Sequence, residues 1–149
     1  MKVGKTLLAV SVIALVLGGS RLALAGSHAM GDPTPLVSRD DEAKFQMTAK
    51  DLKARLDKGE KIVILDARSH LGAEVIKGAV HVPVSQVEEW AKTADKKAVI
   101  VTYCTCPHDE AADSEMKRLR ELGFQSAFSL AGGLDAARAA GVEIVAAKE

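Results

Sequence analysis

Aromatic side chains are scarce in this sequence, cysteine is scarcer, and charge of one sign does not dominate. The 149 residues include one Trp, one Tyr, three Phe and two Cys, with 20 basic against 20 acidic side chains. So few aromatics leave little for bases to stack on, and no basic excess exists to neutralise a phosphate backbone; nucleic acid is excluded as an expected partner. An apolar run of about 20 residues, the length a comfortable bilayer span needs, is also lacking. The shorter stretch from Leu7 to Leu17 follows Lys2 and Lys5 and precedes the small-residue site Ala23-Leu24-Ala25. That is the pattern of a cleavable signal peptide.

Residues 1–25 are therefore expected to direct export to the periplasm, with no stable membrane insertion once they are removed. Their loss takes away Lys2, Lys5 and Arg21 and no acid, which leaves 17 basic and 20 acidic groups and a net charge of −3. Residues 26–41 carry Pro33, Pro35, Gly26 and Gly31 without apolar periodicity, and read as a flexible linker in which His28 is a solvated side chain. Residues 42–149 then form one domain with a single core.

Two periods alternate along that domain. A short strand signal at Phe45 and Met47 precedes a helix opened by a capping pair, Thr48 with Asp51, with Leu52 and Leu56 on its inner face and Gly59 at its end. Lys61 to Leu65 is a β-branched run apolar on successive residues, as in a strand covered on both faces. Ala79 to Val84 is a second such segment. Ser85 with Glu88 predicts another capped helix through Trp90, and Ala98 to Tyr103 makes the central strand. Ala112, Met116, Leu119 and Leu122 recur at helical spacing up to Gly123. Ser126 to Leu130 is a strand, Gly132-Gly133 a turn, Leu134 to Ala140 a short helix, and Val142 to Val145 a last strand. Strand–helix alternation argues for an α/β layer fold with a mostly parallel sheet, whose ligands bind at the carboxyl ends of the strands.

Both cysteines sit at one such end, in Tyr103-Cys104-Thr105-Cys106-Pro107-His108-Asp109-Glu110. A thiol between strand and helix meets backbone amides and the positive end of a helix dipole, which favour the nucleophilic thiolate. Cys104 and Cys106 flank a single residue and could close a small, easily reduced disulfide in an oxidising compartment. A thiol–disulfide redox protein would use that property, as would a persulfide carrier with Cys106 as resolving thiol. Cys104, Cys106 and His108 also form a soft-ligand cluster that could hold Cu(I) or Zn(II), or a binding partner. No further Cys exists to complete a metal shell, and His108 reads better as a loop side chain that tunes the thiol.

The blocks Ile-Leu-Asp-Ala-Arg-Ser (64–69), Lys-Gly-Ala-Val-His-Val-Pro (77–83), Val-Ile-Val-Thr-Tyr-Cys (99–104), Leu-Gly-Phe (122–124) and Leu-Ala-Gly-Gly-Leu (130–134) stand in the order seen in single-domain rhodanese-like sulfurtransferases, which the chain resembles from about Thr48 to Gly141. The resemblance implies an α/β fold with a five-stranded, mostly parallel sheet flanked by helices on both faces. It also implies a persulfide on Cys104, formed from a small sulfur-containing donor and passed to a thiol or protein acceptor. The amides of Thr105 to Glu110 would cradle the anionic sulfur, Asp66 and Arg68 would pair their charges beneath the site, and neither a metal nor an organic cofactor is needed.

The loop departs from the family pattern in one respect that bears on chemistry. Thiosulfate-using relatives carry glycine and a cation in it, whereas this chain has Pro107, Asp109 and Glu110. Two carboxylates oppose thiolate formation and repel a dianion, so thiosulfate is expected to be a poor donor. The missing Arg at position 110 argues against a cysteine phosphatase, which clamps a phosphoryl group with that guanidinium. Glu74-Val75 and Ala137 replace the family's Gly-His and Trp. Lys92 to Lys97, the Lys117-Arg118-Leu119-Arg120 stretch, His81 and Trp90 all have ordinary readings as solvated or packing residues.

Overall fold

A computed structural model describes residues 43–148 of the chain, so the expected signal peptide (1–25) and linker (26–41) lie outside the described residues. The two β-branched runs become the middle of the main sheet. β2 (Ile62–Asp66) and β5 (Val99–Tyr103) pair in parallel over their full length, Ile62 beside Val99 through to Asp66 beside Tyr103. β1 (Gln46–Met47), β4 (Val80–His81) and β6 (Ala127–Leu130) complete a five-stranded sheet of order β1-β6-β5-β2-β4 in which every pair is parallel.

Helices cover both faces of this sheet, which explains why its central strands are apolar on successive residues. α1 (Ala49–Asp57) and α4 (Gly133–Ala139) pack on the face that carries Ile64, Val101 and Tyr103. α2 (Val87–Ala91) and α3 (Glu110–Glu121) pack on the face that carries Leu65 and Ile100. Among the described residues no helix is long and apolar enough to cross a membrane.

The cap at Thr48 forms as its sequence predicts, with the Thr48 side chain accepting the Asp51 amide at 3.1 Å. The cap expected at Ser85 does not. Pro83 opens a 3-10 turn over Val84–Gln86, the Gln86 amide goes to the Pro83 carbonyl, and α2 starts at Val87 without a side-chain cap. The segment expected from Ala79 to Val84 keeps only two strand residues, followed by one further ladder bond from the Val82 amide to the Asp66 carbonyl, because Pro83 has no amide to continue it.

The last strand also differs from expectation. Val142 is buried and its amide closes the C-terminus of α4 on the Ala137 carbonyl, after Gly141 in the left-handed conformation. β7 therefore begins later, at Ile144–Ala146, and lies outside the main sheet. It pairs antiparallel with β3 (Glu74–Ile76), a strand the sequence pattern did not predict.

Candidate active site

Cys104 follows the last residue of the central strand and is 1% exposed. Its carbonyl accepts the Leu134 amide at 3.1 Å, which anchors the turn to the start of α4. The sulfurs of Cys104 and Cys106 are joined in a disulfide, with Cα atoms 5.7 Å apart, and the Cys106 amide is directed at Cys104 Sγ at 3.3 Å. Of the expected amide cradle, then, Cys106 supplies one donor. Pro107 has none to give, and the Asp109 amide turns to the Cys106 carbonyl at 3.3 Å.

Asp109 is the one non-glycine residue with positive φ among those described, at 56°. Asp tolerates that left-handed conformation better than most residues because its short polar side chain bonds locally or nearby. Here the side chain does not cap its own helix; Asp109 Oδ2 accepts the Gly132 amide at 2.8 Å and clasps the cysteine loop to the loop after β6. One of the two loop carboxylates is thus spent on a backbone amide. Glu110 sits in the first turn of α3, where a negative charge favours the helix.

Beneath the turn lies a charge layer. The fully buried Asp66 carboxylate takes a forked pair of bonds from Arg68, through Nε at 2.7 Å and through the terminal nitrogen that also donates to the Glu74 carbonyl. Tyr103 donates its hydroxyl to Asp66 Oδ2 at 3.1 Å and accepts the Ile76 amide at 3.3 Å. The Asp66 bond holds the Arg68 guanidinium still more firmly protonated, while burial, then the neighbouring Asp66 charge, pushes the Tyr103 phenol upward. His81 Nε2 meets the Arg68 carbonyl at 2.8 Å, so a strand-end histidine braces the same segment. Asp66 and Arg68 therefore pair their charges at the end of β2, beside the central strand. Tyr103 was not singled out, although a lone Tyr in a fully covered strand must find a partner for its hydroxyl.

The sulfurs open onto a cavity of about 320 Å³ lined by Arg68, Ser69, His70, Cys104, Thr105, Cys106 and Ala111. Pro107, His108, Asp109 and Glu110 do not line it. His70 enters the site through the loop after β2, a placement that no spacing in the sequence reveals. A larger cavity of about 430 Å³, walled in part by Val75, Ala79 and Val145, holds no nucleophilic thiol, so chemistry favours the smaller one. Among the described residues no three His, Cys, Asp or Glu side chains are placed to hold a metal ion, and Cys104, Cys106 and His108 are not such a group.

Glu115 on α3 is fully buried, and neither carboxyl oxygen has a hydrogen-bond partner. Burial, then the Asp66 charge, raises its pKa to about 8. It lies three residues after Ala112 and four before Leu119, on the stripe that α3 turns to the sheet. The helical spacing was visible in the sequence, and a carboxyl on an apolar stripe was its signal.

Residues 48–140 match the family described as Rhodanese-like domain. A thiosulfate sulfurtransferase, GlpE of Coxiella burnetii, is 33% identical over 82 residues, 54% of this chain and 75% of that protein. The solution structure of a rhodanese-like domain from an Anabaena protein is 32% identical with a TM-score of 0.60, over 68% of this chain and 78% of that one. A crystal structure of thiosulfate sulfurtransferase from Pseudomonas aeruginosa is 26% identical with a TM-score of 0.56, over 66% of this chain and 19% of that one.

Proposed function

The chain belongs to the rhodanese-like family, and on that premise we propose that it is a periplasmic sulfurtransferase or sulfane-sulfur carrier that works through a persulfide on Cys104. The observation that carries this reading is the position of Cys104: buried at the carboxyl end of the central strand, on a cavity, with the Cys106 amide aimed at its sulfur. Once the disulfide is reduced, the Cys104 thiolate attacks the sulfane sulfur of a donor. The donor's S–S bond breaks, its leaving group departs with the electron pair, and the outer sulfur stays on Cys104 as an anionic persulfide. An acceptor thiolate then takes that sulfur and releases Cys104.

Charge sets the donor preference. Arg68 is committed to Asp66, and the cysteine loop carries Asp109 and Glu110. A dianion such as thiosulfate meets no uncommitted cation in that loop, and a monoanionic polysulfide or persulfide suits the site better. The signal-like segment at residues 1–25 supports the periplasmic assignment, and cell fractionation with the full-length chain tests it.

The test of the chemistry is the intact mass of reduced, desalted Cys106→Ser protein, which has no second thiol to displace the bound sulfur, before and after exposure to a polysulfide. Gain of one sulfur, mapped to Cys104, is expected; Cys104→Ser should gain none. If Cys106→Ser gains no sulfur from polysulfide or thiosulfate, the persulfide reading is overturned. A thiol–disulfide redox protein is the second reading, and the Cys104–Cys106 disulfide is the observation that favours it. That alternative predicts electron exchange with dithiols and no sulfur gain in Cys106→Ser.

A further inference from the structure

We infer that Cys106 is a resolving thiol which converts the Cys104 persulfide into free sulfide, and that reducing equivalents return to the site through Cys106, with Cys104 as the leaving group. The inference rests on the persulfide reading and adds to it a product, sulfide, and a partner class, a dithiol reductant.

The two sulfurs lie on one short turn and reach bonding distance without displacement of the backbone, the Cα atoms being 5.7 Å apart. A thiolate on Cys106 is therefore placed to attack the inner sulfur of a persulfide on Cys104. The bond between Cys104 Sγ and the outer sulfur breaks as the bond between Cys104 Sγ and Cys106 Sγ forms. The outer sulfur leaves with the electron pair and takes up the proton that Cys106 lost, so that one persulfide and one thiol become one disulfide and one hydrosulfide ion. The sulfane sulfur is reduced to sulfide, and the two cysteines are oxidised. The disulfide found in the structure is the product of this step.

Regeneration needs two electrons, supplied by a dithiol that is itself oxidised to a disulfide. The two sulfurs are not equally open to it. Cys104 is 1% exposed, whereas Cys106 is partly exposed on the cavity wall. An incoming thiolate thus reaches Cys106 Sγ, and Cys104 Sγ leaves as a thiolate under the Cys106 amide, which already points at it at 3.3 Å. The mixed disulfide forms on Cys106 and is resolved by the partner's second thiol. The reduction step then delivers Cys104 in the ionised form that the next donor requires.

Two measurements on the whole mature protein test this. In the first, reduced and desalted protein receives benzenethiosulfonate, a monoanionic sulfane donor whose leaving group is sulfinate rather than sulfide, in the absence of any other thiol, and sulfide and intact mass are followed together. The wild-type chain should release one sulfide per molecule, at a rate independent of protein concentration, and finish two hydrogens lighter than the dithiol. Cys106→Ser should gain one sulfur, keep it, and release sulfide only at background. If the wild type holds the sulfur on Cys104 without release, or if Cys106→Ser releases as much as the wild type, the resolving role is overturned while the persulfide reading stands. If Cys106→Ser gains no sulfur, both fall. In the second, the disulfide form is treated with limiting glutathione and quenched with iodoacetamide. Glutathione on Cys106 with the alkyl group on Cys104 is expected; the reverse pattern overturns the assigned direction of entry.

Discussion

Gly133 lies against the backbone of Cys104: a Cβ at position 133 would sit 2.2 Å from the Cys104 carbonyl oxygen, closer than any real contact, and its φ is +52°. The same oxygen accepts the next amide, that of Leu134. The glycine pair after β6 is thus the floor on which the cysteine turn rests.

Gly133→Ala should therefore damage both stability and chemistry. The positive φ alone costs a non-glycine residue about 1–2 kcal/mol, and the contact with Cys104 adds to it, so the urea midpoint should fall and sulfur loading per folded molecule, read in the Cys106→Ser background, should drop. An unchanged midpoint with full loading would refute the packing account.

Glu115 makes stability depend on pH in a stated direction. Its carboxyl keeps a proton in the folded chain up to about pH 8 and loses it near the ordinary value of 4.5 when unfolded. Between those values the folded state binds the extra proton, so this group's contribution is fully favourable below pH 4.5 and is lost as pH rises toward 8, by about 1.4 kcal/mol per pH unit. Glu115→Gln should match the wild type near pH 4.5 and exceed it in urea stability at pH 8. Parallel stability curves for the two proteins across that range would count against it.

Tyr103→Phe separates support from chemistry. Loss of the hydroxyl leaves the buried Ile76 amide without its acceptor and Asp66 with one donor fewer, a cost of about 1–3 kcal/mol. Sulfur loading of Cys104, measured per folded molecule in the Cys106→Ser background, should change little; a large loss at full folding would place the phenol in the reaction.

Asp109→Asn tests the electrostatic handicap of the loop. An asparagine oxygen can still accept the Gly132 amide that Asp109 holds, while the charge disappears. Persulfide formation with thiosulfate should speed up several-fold, most clearly at low ionic strength, and that with an uncharged donor should stay as it was. An equal change with both donors would show that the clasp, not the charge, was altered.

The sequence was most legible where one local pattern decides the outcome. Thr48 caps its helix because Asp51 and its amide stand within the same turn. Ile62 to Leu65 and Val99 to Val101 are apolar on successive residues because helices cover both faces of their strands. Cys104, Asp66 and Arg68 are singled out as candidates by a resemblance spread over five short blocks. Residues whose role depends on a distant partner were not legible in this way. Glu74–Ile76 is a strand only because Ile144–Ala146 lies beside it. Asp109 reads locally as a helix-start acid, yet it is turned to Gly132 in another loop. Ser85 fails as a cap because Pro83 has already taken the turn.

The pairing of β1 with β6 sets Gln46 beside Ser129 and Met47 beside Leu130. The first strand of the domain thus waits for nearly the last, and no shorter piece of chain can supply its neighbour. Closing so long a loop costs entropy before any contact repays it, and parallel pairings of this separation fold slowly. During synthesis the domain should remain without its sheet edge until Leu130 has emerged, and a chain ending before that residue should fail to fold as a whole rather than lose one element.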